Sequence, residues 1–337
     1  MRKNTLLLIS LNLILILVFV RCSNPKKNNY LTIDGFAQGS TFHIVYQSHN
    51  TNLNISDSLN SYFNTINKSL SGYDSTSIIS KINRGENPPL DSLFIECFNI
   101  SKEIYIKTDS LFDISAAPLF DMWGFGFKEK ETITQAKIDS VLNFVGMDKL
   151  SIIYDSTTNS AYLHKKDKRM KVNFNAIAQG YTCDFIGKKF NEMGIENYLL
   201  EVGGEILCKG VNSRGRKWSI GIDKPFDGNN IQGGDIQEVI EITNKGVVTS
   251  GNYRKFYVEN GEKFSHTINP KTGYPVKHNL LSATVIAPTS SIADAYATYL
   301  MVIGLEKAKA FISNNKEINA LLIYDENNKF NVYYNKQ

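Results

Sequence analysis

The chain holds 337 residues, 42% of them hydrophobic and 21% charged, with a formal net charge of +4. This is enough chain for one large domain or two ordinary ones, and its composition is that of a folded protein and not of a disordered one. The small positive excess forms no basic stripe, which excludes a nucleic-acid footprint.

The first 22 residues, MRKNTLLLISLNLILILVFVRC, set Arg2 and Lys3 ahead of an apolar run from Leu6 to Val20 broken only by Ser10 and Asn12. That is the layout of a secretory signal, and the run falls short of the roughly 20 residues of a membrane span. Cys22 stands where a lipoprotein signal carries its modified cysteine, although Arg21 takes the place of the usual small residue. The expectation is a signal peptide over 1–21, lipid attachment at Cys22 and a flexible tether over 22–29, leaving the protein exported and anchored to a membrane facing the periplasm; plain cleavage or a retained anchor are the alternatives. Cys97, Cys183 and Cys208 fit neither zinc spacing nor a disulfide framework, and Cys183 and Cys208 read as buried small hydrophobes.

GSTFHIVYQ alternates as a strand, and SDSLNSYFNTINKSLS follows with a helical face of Leu59, Tyr62, Phe63, Ile66 and Leu70. A second helix begins near Asp91 and places Leu93, Cys97, Ile100 and Ile104 in the same way. After FDISAAPLFDMWGFGF and a polar connection, MKVNFNAIAQGYTCDFIGKKFNEMG predicts a strand running into a helix, with Asn175 as N-cap and Gly194 as stop. YLLEVGGEILCKG, KWSIGIDKP, EVIEITNKGVVTSG and LSATVIAP read as strands, and residues 290–315 as one long helix before a closing hairpin over INALLIYDENNKFNVYYN. Without regular βαβ alternation, the fold class is α+β, with mixed, largely antiparallel sheets and packed helices.

Chemistry concentrates late in the chain. FSHTINPKTGYP places His266 just ahead of an Asn-Pro turn with Gly and Pro close behind. A neutral-pH imidazole held that firmly suits proton transfer, or else its ring nitrogens cap the turn. Asp294 and Thr298, four residues apart on a predicted helix, share a face and offer hard oxygens suited to Mg2+, although the helix dipole alone also favours Asp in a first turn. The two glycines of EVGGEI point to close approach by a ligand or another backbone, or to a bulge. FDMWGFGF carries aromatic surface that either flanks a planar ring or fills the core. SGYD and GNYR put aromatic and polar groups on loops. Neither the dinucleotide glycine fingerprint nor the Walker-type phosphate loop occurs, so any dinucleotide is held another way.

In order, GSTFHIVY, LSGYDSTSIISKIN, FDISAAPLFDMWGFG, NAIAQGYTCDFI, YLLEVGGEILCKG, WSIGIDKP, VTSGNYRKFY and SHTINPKTGYPVKHNLLSATVIAPTSSIADAYATYLMVIG closely resemble the FAD:protein FMN transferases of the ApbE type. The resemblance covers most of residues 30–335, which it marks as the catalytic domain with an ApbE-like, T-fold-like architecture. It implies a secreted enzyme that takes FAD as substrate, uses Mg2+, and moves FMN onto a Ser or Thr hydroxyl of an acceptor redox protein with release of AMP. By matching motifs, it implies metal ligation by the backbone oxygen of Ala176, the carboxylate of Asp294 and the hydroxyl of Thr298. Flavin and adenine contacts would come from Gln38, Tyr73, Leu111, Phe112, Asp113, Asn173, Gln179 and Ile268, and His266 matches the family's important histidine. Hydrolysis of FAD to FMN and AMP, or flavin carriage without turnover, are the competing expectations. The chain departs from the commoner pattern in Asn173 and Asn175, in Asn269 ahead of its Pro, and in Ile292, acidic in some members, so the metal site is expected to rest on fewer carboxylates.

Overall fold

A computed structural model describes residues 29–48, 55–227, 229, 233–253, 256–259 and 261–336. The expected signal peptide, Cys22 and most of the tether lie outside them, as does Arg254 of GNYR. Eight strands pair antiparallel in the order β1 (Tyr30–Ala37), β2 (Ser40–Gln47), β5 (Tyr198–Val202), β6 (Glu205–Lys209), β9 (Lys245–Gly251), β12 (Leu280–Ala287), β13 (Asn319–Glu326) and β14 (Lys329–Tyr334). Three two-stranded ribbons join β3 (Leu150–Asp155) to β4 (Ser160–Lys165), β7 (Trp218–Asp223) to β8 (Ile236–Ile242), and β10 (Phe256–Glu259) to β11 (Glu262–Ser265). The helices are α1 (Ser56–Leu70), α2 (Ile78–Asn83), α3 (Ser92–Lys107), α4 (Ala117–Met122), α5 (Gln135–Leu142), α6 (Ala178–Glu192), α7 (Ser290–Ile303) and α8 (Leu305–Asn314). The α+β expectation holds.

Two-residue alternation explains how the large sheet buries both faces. In β5, Tyr198, Leu200 and Val202 join one apolar cluster with Ile186 and Phe190 of α6. Leu199 points the other way, with Trp218, Ile220, Ile240 and Ile242 of the β7–β8 ribbon. Likewise Ala320 and Leu322 of β13 meet the helical layer, while Leu321 and Ile323 meet the ribbon. Helices α6 and α7 therefore lie side by side on one face of the sheet, and both present residues to the site described below. Cys183 and Cys208 are buried and free, as expected, Cys97 is likewise, and burial pushes the Cys208 thiol up to about 11.

Local structure corrects the sequence reading in six places. The long final helix is two, because Gly304 adopts φ 76°, a left-handed conformation that ends α7 before α8 starts. No strand forms ahead of α6. Instead the Asn83 side chain pairs with both backbone groups of Val172, accepting from its N–H and donating to its carbonyl, each at 2.8 Å, as a neighbouring strand would. Asn175 is not the N-cap, since α6 starts after Ile177 without a side-chain cap, and Asn173 instead accepts the Asn175 N–H at 2.7 Å. The EVGGEI glycines are no bulge but the two-residue turn between β5 and β6, at φ 69° and 107°. The polar connection after residue 127 contains α5 and the β3–β4 hairpin, and EVIEITNKGVVTSG splits at Asn244 between the ribbon and the large sheet.

Candidate active site

The His266 loop is built by its turn chemistry. Asn269 Oδ1 accepts the N–H groups of Lys271 and Thr272 at 2.9 and 3.2 Å, and the Asn269 carbonyl accepts the Gly273 N–H at 2.8 Å. Gly273 sits at φ 75°, and a Cβ there would come within 2.5 Å of Ile138. Trp123 Nε1 donates to the Gly273 carbonyl at 2.8 Å, and the Thr267 hydroxyl donates to Asn252 Oδ1 at 2.7 Å, which ties the loop to the end of β9. His266 faces Phe125 edge-on, with ring centres 6.5 Å apart.

Asp294 and Thr298 stand one turn apart on α7 and are brought to the same cavity. Asp294 is 4% exposed; burial pushes its carboxyl up to about 7, the charge of Asp184 acts in the same direction, and the Gly180 N–H donated to Oδ2 at 3.2 Å opposes both. Thr298 Oγ1 lies 3.5 Å from Ser250 Oγ at the end of β9. Asp113 caps the 3-10 turn Ile114–Ala116, accepting from the Ser115 N–H and hydroxyl, yet burial still pushes it up to about 6.

A cavity of about 300 Å³ is lined by His266, Ala176, Asp294, Thr298, Tyr73, Leu111, Phe112, Asp113, Asn173, Gln179 and Ile268. Gln38 lies in an adjoining cleft of about 830 Å³ that shares Tyr73, Asn175 and Gln179 with it, and its side-chain amide bonds the Thr182 hydroxyl at 2.9 Å. Each residue named from the resemblance as catalytic, flavin-binding or metal-binding thus lines one or the other of these two adjoining clefts. Of the 120–127 aromatics, Phe120 and Phe125 line the cavity, Phe127 packs edge-on against Tyr73 with centres 4.8 Å apart, and Trp123 is buried against Phe264. Glu205, Ser250 and Thr267 also reach the cavity. Nothing in their spacing marks them, because each arrives from a different strand or loop.

The donor set fits a hard divalent cation. A buried carboxylate and a hydroxyl face a cavity lined by aromatic, apolar and amide side chains, and no cluster of three His, Cys, Asp or Glu occurs among the described residues. Mg2+ suits such a site, because it keeps waters and borrows phosphate oxygens in place of a full protein cage. Ile292 is half-buried against the core, and its side chain offers no ligand atom.

Three carboxyls raised above their ordinary range, Asp294 buried and Asp113 and Asp184 half-buried, make a pH prediction. Burial sets Asp113 and Asp184 near 6 and Asp294 near 7. A raised carboxyl contributes stability that is full below the unfolded value of about 4 and lost as pH climbs through the folded one. The metal-free protein is therefore expected to melt at higher temperature at pH 5.5 than at pH 8, each group contributing roughly 1–3 kcal/mol. Thermal scans of wild type and Asp184→Asn check this; an equal pH response in both would remove Asp184 from the account.

The fold and cavity define a flavin-transferase architecture. The protein superposes on the flavin transferase ApbE from Vibrio cholerae with TM-score 0.76 and 28% identity, over 91% of this chain and 97% of that one. For the apo flavinyl transferase ApbE from Pseudomonas stutzeri the TM-score is 0.81 at 27% identity, over 93% and 96%. The ApbE family model matches residues 38–322, and the chain belongs to that family. It is 30% identical to an FAD:protein FMN transferase from Haemophilus influenzae over 90% of this chain and 89% of the relative. Against the FAD:protein FMN transferase of Escherichia coli K12 it is 34% identical, over 80% and 76%.

Proposed function

We propose that the protein is a Mg2+-dependent FAD:protein FMN transferase, which moves FMN from FAD onto a Ser or Thr hydroxyl of an acceptor redox protein and releases AMP. The observation that carries this reading is the convergence of His266, Asp294 and Thr298, from two separate parts of the chain, on one cavity rich in aromatic and amide groups. Asp294, Thr298 and the Ala176 carbonyl would hold Mg2+, which when bound supplies charge neutralisation at the diphosphate.

The chain's own groups do the rest. Tyr73 and Phe125 offer ring surface to the flavin, while Gln38, Asn173, Gln179, Ile268 and the Leu111–Asp113 segment supply hydrogen-bonding and apolar contacts along FAD. His266 accepts the proton of the acceptor hydroxyl as that oxygen bonds to the flavin-side phosphorus and the bond to the AMP oxygen breaks. Export and lipid attachment at Cys22 complete the proposal, and would present the site to acceptors at a membrane surface facing the periplasm.

Mass spectrometry of membrane fractions after coexpression with candidate acceptors tests it. An FMN adduct on an acceptor Ser or Thr, and a lipid-modified Cys22 at the enzyme's N-terminus, are the expected results. Rapid AMP release from FAD and Mg2+ without acceptor, and no adduct on any candidate, would favour hydrolysis instead.

A further inference from the structure

Helix α7 carries both side chains proposed to hold the metal, and its first turn is not held by α7 alone. The first N–H groups of any helix lack intrahelical partners. Here the Thr289 hydroxyl oxygen accepts the Ile292 N–H at 3.3 Å. The Ser290 and Ser291 N–H groups instead donate to the two oxygens of Asp184, each at 2.8 Å, across 106 and 107 residues of chain. Asp184 lies on α6, four residues after Gly180, so the two share a face. Gly180 donates its N–H to Asp294, and a Cβ added to it would sit 2.5 Å from the Ser290 carbonyl oxygen and 2.9 Å from Asp294 Cβ. One face of α6 therefore grips the start of α7 at Ser290–Ser291 and again at Asp294, while Ala176, just ahead of α6, and Gln179, in its first turn, line the cavity.

We infer that Asp184 is a positioning residue for the metal site: through Ser290 and Ser291 it fixes where α7 begins, and so where Asp294 and Thr298 stand relative to Ala176. The inference rests on the metal assignment proposed above. The clamp is more than a local cap: Thr289 takes the Ile292 N–H from within the same segment, whereas Asp184 reaches the Ser290 and Ser291 N–H groups from a neighbouring helix and so ties the start of α7 to α6. Groups that orient a metal ligand from behind commonly change affinity by 10–100-fold when removed.

The test uses full-length protein with FAD and no acceptor, titrated with Mn2+ and followed by electron paramagnetic resonance. Asp184→Asn is expected to weaken Mn2+ binding at least 10-fold, with FAD affinity in the absence of metal within about twofold of wild type. Thr289→Ala, which weakens the same helix start without touching Asp184, is expected to lower the melting temperature but to leave Mn2+ affinity within about twofold. Asp184→Ser, which keeps one uncharged acceptor, provides the same readout if the Asn variant does not accumulate. Equal Mn2+ affinity in wild type and either Asp184 variant overturns the inference while leaving the metal assignment standing, and so does an equal loss in Thr289→Ala. Failure of wild type itself to bind Mn2+ overturns the metal assignment and this inference together.

Discussion

Asp294→Asn is expected to reduce flavin transfer by about 10³-fold or more and, in the absence of metal, to raise the melting temperature. The two effects have opposite signs for one reason. A carboxylate buried to 4% exposure, with a long 3.2 Å bond from Gly180, is a poor resident of the core until a cation compensates it. An Asn side chain keeps an oxygen for the Gly180 N–H and removes the charge, so stability gains on the order of 1–3 kcal/mol while cation binding is lost. Loss of a few kcal/mol of charge stabilisation at a diphosphate corresponds to the expected rate penalty. Transfer assays in saturating Mg2+, paired with thermal scans in chelator, check both arms. Undiminished transfer by the variant refutes the metal role, and a lowered melting temperature refutes the account of Asp294 as an uncompensated buried charge.

His266→Ala is expected to separate binding from chemistry. The imidazole lines the cavity beside Phe125, on a loop fixed by the Asn269 turn and by the Thr267–Asn252 bond. Truncating it leaves those contacts in place, so FAD affinity should stay within a few-fold. Loss of a positioned proton acceptor costs about 10²–10⁴-fold in kcat. Because the interaction is made as the hydroxyl attacks, kcat and kcat/KM should fall together. Normal turnover by the variant would contradict the base role, and loss of FAD binding would make the histidine a structural or binding group.

Much of this site was legible because its chemistry is local in sequence. The four-residue spacing of Asp294 and Thr298 survives folding as one helical face, and the Asn-Pro-Lys-Thr-Gly turn does hold the His266 loop. Alternation marked β2, whose Phe42, Ile44 and Tyr46 meet one layer while Val45 meets the other. The failures are equally physical. Gly304 looks tolerable within a helical pattern until its left-handed φ ends α7. Val172 has the extended look of a strand, but its partner is the Asn83 side chain, which no periodicity reports. The β3–β4 hairpin was hidden in a polar stretch because only Leu150, Ala161 and Leu163 of it are buried. Asp184 drew no notice at all, since its meaning depends on two N–H groups more than a hundred residues away.

The central claim is that Asp294 and Thr298 meet the diphosphate of FAD around one divalent cation, with His266 on the acceptor side. A crystal structure of the protein with FAD and Mg2+ tests it most directly. The account predicts an ion within about 2.1 Å of an Asp294 carboxylate oxygen and the Thr298 hydroxyl, sharing oxygens with the diphosphate. FAD bound with its phosphorus atoms remote from α7, or an ion held by other residues, would contradict it.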